Sequence, residues 1–286
     1  MTHPTQQFVT RFAPSPTGRL HKGHAYSALL AYRRAQEAGG RFLLRIEDID
    51  TVRCRNEFVD GIFEDLTWLG LGWEEPVRRQ SEHFGDYQNA LDRLKAMGLV
   101  YPCFCTRKDI SREIDAAESA PHGPDGPIYP GICRGRDDAS TLLAEGTPHA
   151  WRLDLAKALA HIGDPLVWQD ELKGEVTATP EALGDVVLAR KDTPTSYHLS
   201  VVVDDALQGI THIIRGEDLF HATHIHIVLQ KLLGYPAPVY HHHGLLLDER
   251  GERFAKRNKS VTLESLRESG LDPKVLTSGL MAGDAL

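Results

Sequence analysis

The 286-residue sequence has no apolar run approaching the length of a membrane span, which sets aside an integral membrane helix. Its first residues, Met1 to Gln7, lack the basic-then-apolar layout of a secretory signal, so the expected location is the cytoplasm. A broad basic excess is missing as well. Lys and Arg number 32 against 40 Asp and Glu, and the net charge of −8 argues against a nonspecific polyanion binder. A local stripe would still serve RNA, and Arg250, Arg253, Lys256, Arg257 and Lys259 form the densest basic cluster. Cysteine is scarce, yet Cys103, Cys105 and Cys133 crowd together, while Cys54 stands alone as a free thiol. In a reducing compartment such a trio points to a metal rather than a disulfide. No internal repeat or low-complexity tract interrupts the chain, and no pairing segment stands out, so a monomer is expected.

What is present begins with residues 8–12, which read as a strand. Pro14, Pro16 and Gly18 break it, and residues 26–32 carry helical apolar character. His21 and His24 therefore fall where a helix begins. There, backbone N–H groups and the helix dipole favour phosphate, and two imidazoles three residues apart can face one anion. Gly23 between them lets a flat ring or a phosphate approach the backbone. The junction predicts ATP chemistry.

Residues 41–48 read as a buried parallel strand ending in carboxylates, followed by helices over 57–69 and 83–97. Strand, helix, strand, helix with apolar strands is the order of a doubly wound α/β sheet, whose ligands sit beyond the strand C-termini. Ser15, His21 and Glu47 would all lie there. From residue 101 to about 184 the pattern changes to close cysteines, a Pro/Gly-rich run over 121–131 and short strands at 150–155 and 166–169. The α/β character returns over 185–190, 197–205 and 212–218. The expected organisation is a split nucleotide-binding domain, 1–100 and 185–245, around an inserted module at 101–184, with a basic loop and short helical end over 246–286.

The run Arg11-Phe12-Ala13-Pro14-Ser15-Pro16-Thr17-Gly18-Arg19-Leu20-His21-Lys22-Gly23-His24 resembles the first signature of class I aminoacyl-tRNA synthetases, in the form found in glutamyl- and glutaminyl-type enzymes. Lys22 departs from it, standing where the family has an apolar residue. The segment from Gly244 to Arg257 resembles the second, Lys-Met-Ser-Lys-Ser loop, in register with Arg253-Phe254-Ala255-Lys256-Arg257 rather than with 256–260. On that register Lys256 would neutralise ATP phosphates, Arg253 replaces the first lysine and Ala255 the serine. The resemblance implies a Rossmann-type α/β catalytic fold, with His21, His24 and Lys256 as catalytic groups and Gly23 and Arg253 also at ATP.

A dicarboxylic amino acid needs a cation for its side chain, an anion for its ammonium and polar groups for its reacting carboxylate. Arg11 and Arg215 suit the first, Glu47 the second, Ser15 and Tyr197 the third. With Phe12, Ala13 and Pro14 these match the glutamate-contacting positions of the resembled family. That family joins glutamate to AMP from Mg·ATP, needing no general base because the carboxylate is already ionised.

Three thiolates leave zinc one ligand short. General zinc chemistry favours His122 as the fourth. The resemblance favours Tyr129: Cys-x-Cys followed by Tyr-x-x-x-Cys, here Cys103, Cys105, Tyr129 and Cys133, is the pattern of the glutamyl-Q tRNA(Asp) synthetases, a group that lacks the anticodon-binding domain. It implies a structural Zn2+ in an α+β insertion, activation of L-glutamate without tRNA, and transfer to the queuosine base of tRNA(Asp). A conventional glutamyl-tRNA synthetase core and an inactive RNA-binding paralogue are the alternatives. His221, His224 and His226 on a helix, and His241, His242 and His243 on a strand, do not share one face and read as packing or solvated residues.

Overall fold

The computed structural model describes residues 7–116, 122–124, 126–246 and 261–282. The first part of the chain runs β1 (Val9–Phe12), α1 (Lys22–Glu37), β2 (Arg41–Ile46), α2 (Asn56–Trp68), β3 (Glu74–Arg79), α3 (Phe84–Ala96) and β4 (Val100–Cys103). A smaller-grained stretch follows: α4 (Arg107–Ala116), β5 (His122–Gly123), β6 (Gly126–Pro127), α5 (Ala139–Ala144), β7 (Ala150–Leu153), α6 (Leu155–Ile162), β8 (Val167–Asp170), β9 (Gly174–Thr177) and β10 (Val187–Ala189). The last part comprises α7 (Tyr197–Leu207), β11 (His212–Gly216), α8 (Phe220–Leu233), β12 (Val239–His243), α9 (Leu263–Glu268) and α10 (Pro273–Ala282).

Strands β1, β2 and β3 form a parallel sheet in that order. β11 and β12 are parallel neighbours, with β8 parallel to β12 and β9 antiparallel to β8. The two sheets meet edge to edge. Thr211 N donates to Val9 O at 2.9 Å, and Val9 N donates to Thr211 Oγ1 at 2.8 Å. The strands thus run β3-β2-β1-β11-β12-β8-β9, and the winding reverses at the β1/β11 seam, the place where such sheets bind ligands. β1 is buried along its whole length, as a strand covered on both faces must be. α1 covers one face with Ala25, Ala28, Leu29, Ala31 and Ala35, against Leu44 and Ile46. Val9, Leu43, Ile213 and Tyr240 pack instead with Ile227 of α8, while Leu199, Val202, Ile225 and Val228 of α7 and α8 pack against Tyr87 and Leu91 of α3. Gly40 is required at its turn, since a Cβ there would stand 2.2 Å from Phe8 O.

The third sheet, β4-β7-β10, is antiparallel. Its pairing crosses the limit that sequence composition places at residue 184. β10 lies beyond that limit yet pairs with β7, whereas β8 and β9 lie before it yet join the seam sheet. Apolar pattern announces a strand; it does not say which edge the strand will pair with. The expected strand at 150–155 stops at Leu153, because the Asp154 side chain accepts from Lys157 N and starts α6. Among the described residues no helix is long and apolar enough to cross a membrane.

Candidate active site

At the seam the strand ends open into a cavity of about 560 Å³, and its wall carries Arg11, Phe12, Ala13, Pro14, Ser15, His21, Gly23, His24, Glu47, Tyr197 and Arg215. Every described residue that the sequence assigned to glutamate or ATP is therefore in one place. Arg253 and Lys256 lie outside the described residues, as do the other members of their basic cluster. Leu245 and Leu246, which lead toward them, line the same cavity.

His21 is the N-cap of α1. Its Nδ1 accepts from Gly23 N at 3.2 Å, and His24 Nδ1 accepts from His21 N at 3.2 Å, a reciprocal cap made of imidazoles. A neutral ring that accepts at Nδ1 carries its proton on Nε2, so each histidine presents a donor of the kind phosphate oxygens take. The rings lie 3.8 Å apart between centroids. A Cβ on Gly23 would come within 3.1 Å of the His21 ring, so glycine keeps the cap intact. The chain beyond residue 260 is stitched to this cap: Leu263 N donates to Leu20 O at 2.9 Å, and Thr262 bridges to His21.

The two arginines chosen for a side-chain carboxylate differ in what already holds them. Arg11 is bound to Asp205, Nε to Oδ1 at 2.9 Å and Nη2 to Oδ2 at 3.3 Å. Arg45 reaches the same carboxylate at 2.8 Å and also Glu47 at 3.1 Å. Arg215 is buried too, yet its partners are neutral: His242 Nε2 at 3.0 Å, Tyr197 Oη at 3.3 Å, Leu219 O at 3.1 Å and Thr223 Oγ1 at 2.6 Å. Among the described residues no carboxylate lies within ion-pair distance of it, so Arg215 is the cation left for an anionic ligand. Burial raises the Glu47 carboxyl above its ordinary range, with Arg45 and Arg11 pulling the other way. An incoming ammonium would favour its ionised form in the same manner.

The thiols of Cys103 at the end of β4, Cys105 two residues beyond it and Cys133 in the loop before α5 converge, all within 4.8 Å of one another. Cys105 Sγ is 3.3 Å from Cys133 Sγ, and the Tyr129 hydroxyl is 3.4 Å from Cys103 Sγ and 3.7 Å from Cys105 Sγ. Burial opposes ionisation of Cys133, but backbone donors from Phe104, together with Cys105 and Tyr129, outweigh it and bring the thiol down to about 7. Burial and the bond to Cys133 push Cys105 up to about 12. The Tyr129 hydroxyl is raised by burial and by Cys103. The His122 side chain is not among those described.

A second cavity, about 480 Å³, shares Ser15, Glu47 and Tyr197 with the first. Its far wall is the β5/β6 hairpin, through Gly123 and Pro127, and its polar groups include Asp50 and Arg190. Residues 7–282 match the family of class I tRNA synthetases (E and Q), catalytic domain. The chain belongs to this family. A glutamyl-Q tRNA(Asp) synthetase from Rhodobacter capsulatus is 51% identical, over 93% of this chain and 96% of its own length. One from Symbiobacterium thermophilum is 42% identical, over 94% and 84% respectively. A glutamate tRNA ligase from Elizabethkingia meningosepticum, solved in complex with its amino acid, superposes with a TM-score of 0.77 at 27% identity. That match covers 96% of this chain and 60% of the ligase chain.

As a class I synthetase the protein is a ligase with an α/β catalytic fold. Several groups at its site escaped the sequence reading. Arg45 is fully buried inside an apolar strand, and Asp204 gathers Arg78 Nε at 2.7 Å, Gln80 Nε2 at 2.8 Å and the Tyr87 hydroxyl at 3.0 Å. His198 and His226 contact each other at 3.3 Å, and burial holds the His198 imidazolium down to about 4. The only advance signal was charge placed where apolar residues were due.

Proposed function

We propose that the protein activates L-glutamate with ATP in the absence of tRNA and transfers it to the queuosine base at the wobble position of tRNA(Asp). The carrying observation is the single cavity at the seam, where the His21/His24 helix start meets an Arg215 guanidinium that has no anionic partner among the described residues. Glutamate's side-chain carboxylate would take Arg215, its ammonium Glu47, and its α-carboxylate would face the histidine N-terminus. There one carboxylate oxygen forms a bond to the α-phosphorus of ATP while the bond to pyrophosphate breaks. His21 and His24 act by positioning and by donating to the phosphate oxygens; losing one such donor typically costs about 3–4 kcal/mol of transition-state stabilisation. Mg2+ would enter with ATP, held mainly by the phosphates.

The acceptor reading is supported by the R. capsulatus and S. thermophilum relatives, whose names specify it and whose lengths the chain nearly spans. The second cavity shares a wall with the glutamate site and is of a size that takes a small molecule. A base carrying a cyclic diol would enter there, under the β5/β6 hairpin. Cytoplasmic location and a monomeric state fit this work.

The test is ATP-dependent incorporation of labelled glutamate into tRNA(Asp) with and without queuosine, beside tRNA(Glu). Label restricted to queuosine-containing tRNA(Asp) is expected. Label on tRNA(Glu) would instead make the chain a conventional glutamate ligase core, and label on none, with no pyrophosphate exchange, an inactive paralogue.

The thiol cluster fits a structural Zn2+, with Cys103, Cys105, Cys133 and Tyr129 as the holding set. Tetrahedral zinc with Zn–S near 2.3 Å places sulfurs about 3.8 Å apart; here Cys105 and Cys133 lie 3.3 Å apart and all three thiols fall within 4.8 Å. The tyrosine must give up its proton, or bind as the neutral phenol. Metal analysis of the purified protein is expected to give one zinc per chain, and Cys103→Ser to lose it along with several degrees of melting temperature. A wild-type protein free of zinc, with the variant equally stable, would remove the metal from this account.

A further inference from the structure

Asp170, His242 and Arg215 come from three adjacent strands and form a continuous buried chain. β8 supplies the first, β12 the second and β11 the third, and Arg215 is the register partner of His242. Asp170 Oδ2 lies 2.7 Å from His242 Nδ1, and both side chains are 0% exposed. The other oxygen, Oδ1, accepts from Leu172 N at 2.9 Å and Lys173 N at 3.0 Å in the β8–β9 turn, which fixes the carboxylate. His242 Nε2 then receives Arg215 Nε at 3.0 Å.

This order dictates a tautomer. A carboxylate only accepts, so His242 Nδ1 must carry the proton toward Asp170. Nε2 is left with a lone pair, and the guanidinium, always charged, donates into it. Charging the ring would point an Nε2–H at Arg215, and burial together with the Arg215 charge holds the imidazole neutral, its pKa pushed down to about 3. With Nε committed to His242 and Nη2 to Thr223 and Leu219, the guanidinium plane cannot rotate. Its remaining edge, Nη1, lies beside the Tyr197 hydroxyl at 3.3 Å, and both residues line the cavity.

We propose that Asp170 and His242 are positioning residues that fix the Arg215 fork toward the cavity and so set the preference for an amino acid with an anionic side chain over its neutral amide. Neither touches the substrate. The inference rests on the glutamate reading above, and one residue it names, Asp170, lies in the strand segment before residue 184.

The test uses the full chain in glutamate-dependent ATP–pyrophosphate exchange, with glutamine as the competing amino acid. Asp170→Asn keeps Oδ1 as an acceptor for the turn but presents an N–H to His242 Nδ1. The ring must then hold its proton on Nε2, donor against donor with Arg215. KM for glutamate is expected to rise about 10- to 100-fold, as a misplaced binding group commonly produces, with glutamate-over-glutamine selectivity falling in parallel. KM for ATP and kcat should stay within about twofold of wild type, which is the split that a general loss of fold would not give. Should Asp170→Asn fail to fold, His242 carries the test alone. His242→Ala is expected to raise KM for glutamate similarly, and His242→Gln, whose Oε1 replaces Nε2 as acceptor for Arg215, to restore most of it. Unchanged KM and selectivity in Asp170→Asn, or equal losses toward glutamate and ATP, would overturn the proposal while leaving glutamate activation standing. A wild-type protein that exchanges pyrophosphate with no amino acid would instead overturn the glutamate reading and this inference with it.

Discussion

Arg215→Gln is expected to raise KM for glutamate roughly a hundredfold or more while the fold survives. The guanidinium is the cation at the seam cavity with no carboxylate beside it among the described residues, so a side-chain carboxylate has nowhere comparable to go. Truncating one member of a desolvated charge pair costs about 2–5 kcal/mol, and about 1.4 kcal/mol corresponds to each tenfold. Glutamine retains a donor for Thr223 or the Leu219 carbonyl, which limits the damage to packing. Pyrophosphate exchange across a glutamate titration checks it. A variant that loses less than about threefold would assign the side-chain carboxylate to Arg11, despite the grip of Asp205 on that residue.

Asp205→Ala is expected to be the most damaging single change outside direct substrate contact. Its carboxylate sits between Arg11 and Arg45, with side-chain exposures of 4%, 6% and 0% for Asp205, Arg11 and Arg45. Removing it leaves two guanidinium groups buried against each other. Breaking a buried ion pair from one side costs about 3–5 kcal/mol, which for a domain of this size lowers the melting temperature by roughly 10 °C. The control is Glu37→Ala, which breaks the Arg33–Glu37 pair on the outer face of α1, where both side chains are 60% exposed. Water already solvates that pair, so thermal melting should not change. Equal melting of the two variants would mean that the buried network contributes no more than a surface pair.

The site was legible in the sequence to the extent that its chemistry follows the main-chain path. The Pro/Gly punctuation before His21 announced a strand ending in a helix start, and the structure places the imidazoles at that cap. Ser15 and Glu47 needed only the rule that ligands collect beyond strand C-termini, whereas Tyr197 and Arg215 were picked out by residue chemistry and by the resemblance to a glutamate-contacting pattern. What stayed hidden depends on pairing between distant strands. Arg45 sits in an apolar run and reads as an exception to burial until Asp205 arrives from α7 to neutralise it. His242 reads as one of three histidines alternating along a strand, and its position against Arg215 exists only because β12 lies beside β11. Asp170 fell in a stretch whose strand was recognised but whose partner was not. Periodicity records which face of a strand is buried, not what it meets there.

The seam between β1 and β11 also sets the order in which the molecule becomes competent. Val9 and Thr211 are 202 positions apart, and Arg11 and Asp205 are 194 apart. Closing loops of that length is slow relative to local helix formation. On the proposed function, a ribosome that has delivered the histidine turn and the first three parallel strands has delivered no glutamate site, because the cation assigned to it, Arg215, is still to be synthesised. On that reading nascent chains would consume no ATP on glutamate, and activity would emerge late, with the zipping of the seam itself.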